Sequence, residues 1–244
     1  MTTRAEEIAL RLSEVRQQIV EAEARAGRPP GSVGLVAVSK RMPVEDVRAA
    51  LDAGQRVFGE NYAQELRDKR EVFAAANAIA PAAAAPRWHY LGPLQRNKVK
   101  ILAGQVALIQ TVADPEVLDE IERRAGAAGA AQACLVQVNI AGESRKSGVP
   151  PQSVPALLDR FARGRHITCA GLMLIPPLEA SAGETRRHFA ALRALREREA
   201  TVERPHVDLK ELSMGMSGDF IAAIEEGATL VRVGTAIFGA RVTG

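Results

Sequence analysis

Eight short apolar runs, separated by stretches of helical periodicity, constrain this chain more than any other feature. They are "VGLVAVS" (33–39), "RVFGE" (56–60), "WHYLG" (88–92), "VALIQTV" (106–112), "ACLVQVNI" (133–140), "TCAGLMLI" (168–175), "ELSMG" (211–215) and "TLVRVG" (229–234). Most are too continuous for strands with one face in water, so both faces are expected to be buried and the pairing parallel. The segments between them carry helix signals. "DPEVLDEIERRA" places Asp114 at an N-cap and Pro115 at the first helical position, with Leu118, Ile121 and Ala125 on one face. "PQSVPALLDRFA" presents Val154, Leu157, Leu158 and Phe161 at helical spacing, and "SGDFIAAIEEG" opens on Ser217 as an N-cap.

Eight βα units in 244 residues predict a single α/β domain over 1–244, a (β/α)8 TIM barrel, with an open doubly wound sheet as the rival. An extra N-terminal helix precedes the first strand, because Ile8, Leu12, Val15 and Ile19 recur on one face of residues 3–26. The Ala/Pro stretch "AAANAIAPAAAAP" reads as a helix end and a surface loop.

Composition narrows the class. Lys+Arg number 32 against 29 Asp+Glu, a net +3 that is too balanced for a nucleic-acid footprint. No apolar run approaches the roughly 18 residues that span a membrane. Charge occurs within the first seven residues, at Arg4, Glu6 and Glu7, and no apolar leader is seen there. A cytoplasmic protein with no membrane or nucleic-acid partner is therefore expected. Cys134 and Cys169 each sit inside an apolar run and are expected as reduced core residues.

In a barrel of this kind, chemistry sits at the C-terminal ends of the strands. Those ends hold Lys40, Glu60 with Asn61, "GPLQRNK", Asn139 with "GESRKSG", Met173, "SMGMSG" and "RVGTAIFG". His89, His166, His188 and His206 are scattered without ligand spacing, so no metal site is expected. Neither a Walker A loop nor a GxSxG elbow occurs. The last two strand ends carry the most information. Ser213 and Ser217 supply hydroxyls, and Gly234 and Thr235 supply backbone N–H groups that a phosphate can approach closely. Taken singly, each loop also reads as plain turn chemistry. Lys40 alone is a solvated charge, but a lysine facing a phosphate cradle suggests pyridoxal phosphate (PLP) held as a Schiff base. Arg232, on the eighth strand, then has the pyridine nitrogen as a fitting partner, with a core ion pair as the alternative.

"WHYLGPLQRNKVKIL" (88–102) resembles the signature of the pyridoxal phosphate homeostasis protein family, whose fold is like the N-terminal barrel of alanine racemase. The resemblance extends over "LVAVSK", "GQRVFGENYAQE", "VNIAGESRKSG", "GLMLIPP" and the segment from "LSMGMSGDF" to "FGAR", nearly the whole chain. It implies Lys40 as the Schiff-base lysine, phosphate contacts from Ser213 or Ser217, Gly234 and Thr235, Arg232 near the pyridine nitrogen, and Asn61 beside the cofactor. It also implies Lys146 as a second, transient PLP site, where the plain reading is a solvated loop lysine. The function implied is intracellular PLP homeostasis: a monomeric carrier that delivers PLP to PLP-dependent apo-enzymes and catalyses no efficient turnover. The alternatives are a PLP-dependent racemase-like enzyme and a barrel for another phosphorylated metabolite. Racemases of the related fold take a second base, a tyrosine, from a C-terminal domain. This chain ends at "FGARVTG", so that domain is expected to be absent, and its tyrosines, Tyr62 and Tyr90, are expected in helix and strand positions.

Overall fold

The computed structural model describes residues 2–79, 85–143 and 147–240. Eight parallel strands close into a barrel in sequence order: β1 (Gly34–Val38), β2 (Val57–Glu60), β3 (Arg87–Tyr90), β4 (Leu108–Val112), β5 (Gln132–Gln137), β6 (Ile167–Met173), β7 (Val207–Ser213) and β8 (Leu230–Val233). Closure is made by β1 on β8, with Val36 opposite Arg232 and Ala37 opposite Val233. The doubly wound alternative is thereby excluded. Each predicted apolar run holds one strand. The seventh begins earlier than expected, at Val207, because the exposed Asp208 and Lys210 broke its apolar pattern.

Helices run outside the strands: α1 (Arg4–Arg25), α2 (Val44–Asp52), α3 (Ala63–Ile79), α4 (Val99–Leu102), α5 (Pro115–Ala127), α6 (Val154–Phe161), α7 (Ala182–Ala200), α8 (Phe220–Glu225) and α9 (Thr235–Phe238). α5 starts as the sequence dictates, with Asp114 accepting the Glu116 N–H and Pro115 in the first turn. α1 opens on a capping box between Thr3 and Glu6. It buries Ile8, Leu12, Val15 and Ile19 against α2, α8 and α9. That burial contributes roughly 1.5–3 kcal/mol per side chain before entropy is counted. No helix among the described residues is long and apolar enough to cross a membrane.

Two apolar layers follow from the alternation of the strands. Most core residues lie between strands and helices; Phe58 and Phe73, for example, pack on Trp88 with ring centroids 5.7 and 6.0 Å apart. Leu108, Leu135 and Met173 form a separate cluster inside the barrel. Cys134 and Cys169 are free, fully buried neighbours across β5 and β6, and burial pushes both thiols up, that of Cys169 to about 12. They are inert packing residues.

Candidate functional site

The barrel mouth holds a cavity of about 280 Å³. Its walls include Lys40 after β1, Asn61 after β2, Ser217 and Gly218 after β7, Arg232 on β8, and Gly234 and Thr235 at the turn into α9. Val38, Met42, Leu91, Met173, Ile175, Met216 and Phe238 complete it with apolar surface. Six of the seven expected site residues thus share one cavity although the chain separates them by up to 195 positions (235 − 40). Strand-end placement brings them together: every strand of a parallel barrel delivers its C-terminus to the same rim. Lys146 lies outside the described residues. No group of three metal-ligating side chains occurs among the described residues.

Lys40 stands on a short segment clamped from both sides. Ser39 donates its hydroxyl to Glu60 Oε1 at 2.7 Å, and Lys69 Nζ donates to the Ser39 carbonyl at 2.7 Å. Lys69 also bridges Glu60 (2.7 Å) and Glu65 (2.8 Å), and Glu65 accepts the Arg41 N–H at 2.6 Å. Arg41 has a positive φ of 61°, so the chain turns sharply just past Lys40. Glu60 is fully buried, and burial raises its carboxyl above the ordinary range against the opposing pull of Lys69 and Ser39. The sequence pointed to Glu60 only as a strand-end residue. It offered no sign that Lys69, nine residues later on α3, faces back onto it.

The β7–α8 loop needs its glycine. Gly215 has φ +92°, and a Cβ there would meet Ala223 Cβ at 2.6 Å. Its carbonyl accepts the Arg232 N–H at 3.0 Å, which fixes the loop to β8. Ser217 departs from the sequence expectation. The N-cap of α8 is Asp219, whose Oδ1 accepts the Met216 N–H at 2.5 Å. Ser217 Oγ instead accepts the N–H groups of Gly234 (3.3 Å) and Ala236 (3.4 Å) across the loop. Ser217 lies two positions before the N-cap, outside the place from which a side chain caps the first turn.

Arg232 is buried, and burial draws its guanidinium down to about 10, with Asp219 opposing; it remains a cation at neutral pH. Nη1 donates to Ser213 Oγ at 2.6 Å and Nη2 to the Leu174 carbonyl at 2.9 Å. Ser213 is fully buried behind Arg232, its hydroxyl committed to Gln110 Oε1 at 2.6 Å, and it does not line the cavity. The pairing of Ser213 with Ser217 as equivalent candidates therefore separates into two places. Asn61 is set by backbone contact: a Cβ on Gly92 would lie 1.9 Å from the Asn61 carbonyl oxygen, so only glycine lets the chain pass there. Tyr90 is buried with its hydroxyl on the Pro93 carbonyl (3.1 Å), and Tyr62 is half exposed under the Arg41 guanidinium; neither lines the cavity.

Comparison with known proteins follows from this geometry. The family described as alanine racemase, N-terminal domain, matches residues 10–242. A pyridoxal phosphate homeostasis protein of Aquifex aeolicus is 40% identical over 234 residues, covering 95% of this chain and 97% of its own. The chain belongs to the pyridoxal phosphate homeostasis protein family. A second relative of that name, from Pseudomonas aeruginosa, is 42% identical over 242 residues, 99% of this chain and 97% of its own. Among solved structures, PipY of Synechococcus elongatus PCC7942 with PLP bound superposes with a TM-score of 0.81 at 36% identity, covering 95% of this chain and 100% of that one. Alanine racemase from Corynebacterium glutamicum gives a TM-score of 0.62 at 15% identity, covering 98% of this chain and 62% of that one; it shares the barrel fold.

Proposed function

We propose that this protein binds PLP in the barrel mouth and serves PLP homeostasis as a carrier. The observation that carries this reading is the convergence of Lys40, Asn61, Ser217, Arg232, Gly234 and Thr235 on one cavity, in a chain whose relatives bear that name and whose structural neighbour holds PLP.

The residues fit the group. PLP supplies an aldehyde, which condenses with a lysine amine. Lys40 is the amine in the cavity wall. The N–H groups of Gly234 and Ala236 meet Ser217 Oγ at long distances, so a phosphate oxygen in their place makes shorter, charge-assisted bonds. Thr235 adds a further hydroxyl at that turn. Ser217 rather than Ser213 is thus the phosphate serine, and Ser213 supports Arg232. Arg232 faces the pyridine nitrogen and keeps it unprotonated, since two contacting cations repel. Asn61, held by Gly92, lies beside the ring.

The same cavity argues against efficient turnover. Lys40 and Arg232 are its only titratable lining residues among those described. Racemisation needs a proton donor and acceptor on both faces of the α-carbon, and an amino-acid substrate needs a cation for its carboxylate. Lys40 can serve one face, but with Arg232 on the ring nitrogen no other titratable lining residue is left, among those described, for the second face or for the carboxylate. Release to acceptor enzymes follows from a reversible bond in an open mouth.

The test is transfer. PLP-loaded protein, freed of excess PLP, is mixed with a PLP-stripped aminotransferase. Recovery of transaminase activity together with loss of the carrier's visible absorbance is expected. A protein that retains its PLP while the aminotransferase stays inactive would contradict the carrier reading.

A further inference from the structure

A line of four buried polar side chains crosses the barrel interior beneath the cavity: His89 on β3, Gln110 on β4, Ser213 on β7 and Arg232 on β8. β4 and β7 are not neighbours in the barrel, so Gln110 and Ser213 meet only through its interior. All four are at most 5% exposed, so the contacts among them are shielded from water.

The chemistry of the two ends gives this line a direction. A guanidinium has donors and no acceptor. At the Arg232 Nη1–Ser213 Oγ contact of 2.6 Å, Ser213 must therefore accept. Its single hydroxyl proton is left for Gln110, 2.6 Å away, and only the amide oxygen can take it. The Gln110 amide is then fixed with its NH2 toward His89 Nδ1 at 3.0 Å. Nδ1 must present a lone pair, so the imidazole proton sits on Nε2 and the ring is neutral. Burial points the same way, drawing His89 down to about 4, with Arg87 assisting.

We infer that Gln110 is a positioning residue for the cofactor site: it is the neutral link that holds Ser213 against Arg232 while adding no negative charge of its own to offset the guanidinium. Buried arginines usually meet a carboxylate. Here the line of contacts offers a hydroxyl, an amide and a neutral imidazole, and Asp219 is the acidic group whose field reaches the guanidinium. A carboxylate at position 110 would sit one hydroxyl away from Arg232 and cancel much of its field. That field is what keeps a bound pyridine nitrogen unprotonated. The inference rests on the PLP reading for its consequence, but the direction of the hydrogen bonds does not.

The test therefore has two arms. In ligand-free, 15N-labelled full-length protein, long-range 15N–1H correlation of the imidazoles reads the tautomer of His89. The Nε2–H neutral form is expected at neutral pH; an Nδ1–H tautomer or an imidazolium would overturn the chain's direction, whatever the protein binds. In Gln110→Glu, the carboxylate can only accept, so His89 is expected to acquire a proton on Nδ1. In the PLP-loaded variant, the midpoint of the visible absorbance against pH is expected to rise by about one unit or more. Ser213→Ala severs the same line without adding charge: PLP is expected to bind about tenfold more weakly, with rescue by Ser213→Thr, which restores the hydroxyl. A Gln110→Glu protein that holds PLP with an unmoved absorbance midpoint, or a Ser213→Ala protein with undiminished affinity, would show that the line does not act on Arg232. Failure of the wild-type protein to bind PLP would refute the functional reading, and the His89 tautomer would still decide the hydrogen-bond chain.

Discussion

Replacing Lys69 by methionine removes the cation at the centre of the clamp under Lys40 while conserving side-chain volume. Three hydrogen bonds disappear: 2.7 Å to the Ser39 carbonyl, 2.7 Å to Glu60 and 2.8 Å to Glu65. The Lys69 side chain is 5% exposed and that of Glu60 0%, so water cannot repair the loss, whereas Glu65, at 23%, can turn outward. Removing one partner of a buried pair costs about 3–5 kcal/mol. Glu60 limits the damage by taking a proton. Its carboxyl is already raised by burial, and without Lys69 the raise grows. An acid with a raised folded-state pKa adds stability below its unfolded pKa and loses that stability as pH rises through the folded value. The variant's deficit should therefore be greatest, about 4 kcal/mol, near pH 8 and shrink to about 2 kcal/mol near pH 5, within the ceiling of roughly 1.4 kcal/mol per pH unit for one proton. Urea unfolding at three pH values and constant ionic strength measures it. Glu60→Gln in the same background should flatten the pH dependence. A deficit below about 1 kcal/mol near pH 8, or one that is equal at all three pH values, would refute the reasoning.

Lys40→Ala should abolish covalent attachment of PLP and leave the fold intact, because a strand-end lysine leaves no core cavity; calorimetry and the absorption spectrum check both halves. Ser217→Ala should cost the ligand-free protein about 1 kcal/mol, as Gly234 and Ala236 lose their acceptor, and should weaken binding of PLP more than of unphosphorylated pyridoxal; equal losses for the two ligands would take Ser217 out of the phosphate site. Gly92→Ala drives a Cβ into the Asn61 backbone and should destabilise by about 3 kcal/mol or shift Asn61 away from the cavity, visible as a lowered Tm and reduced PLP affinity. Deuterium exchange at the α-carbon of alanine, followed by NMR in D2O with the PLP-loaded protein, should stay near background; rapid exchange that Lys40→Ala abolishes would promote the enzyme reading.

The barrel was legible because its strands are short, apolar and evenly interrupted, and because Asp114–Pro115 marks a helix start by local chemistry. Val207 was missed as a strand start because Asp208 and Lys210 face solvent at the bottom of the barrel, where the pattern no longer reports burial. That six candidate residues would meet in one cavity was legible because position at a strand end is a one-dimensional property that closure turns into proximity. The roles of Gln110, His89 and Lys69 depend on register across the barrel and on which helix face turns inward, and no local pattern carries either. A polar Gln110 inside the continuous "VALIQTV" run was the one available signal: a buried amide in an apolar strand must have a partner. Ser217 was misplaced for a related reason. Its spacing before an apolar helix fits an N-cap, but its actual partners, Gly234 and Ala236, come from the next unit.

The claim that Lys40 is the attachment point for PLP is tested most directly by trapping. The protein is incubated with PLP, treated with borohydride, digested and analysed by mass spectrometry. The account predicts a visible band lost on reduction and the reduced pyridoxyl phosphate mass on the peptide containing Lys40, with the Lys40→Ala protein unlabelled there. A stoichiometric label on another lysine, with Lys40 unmodified, would contradict it.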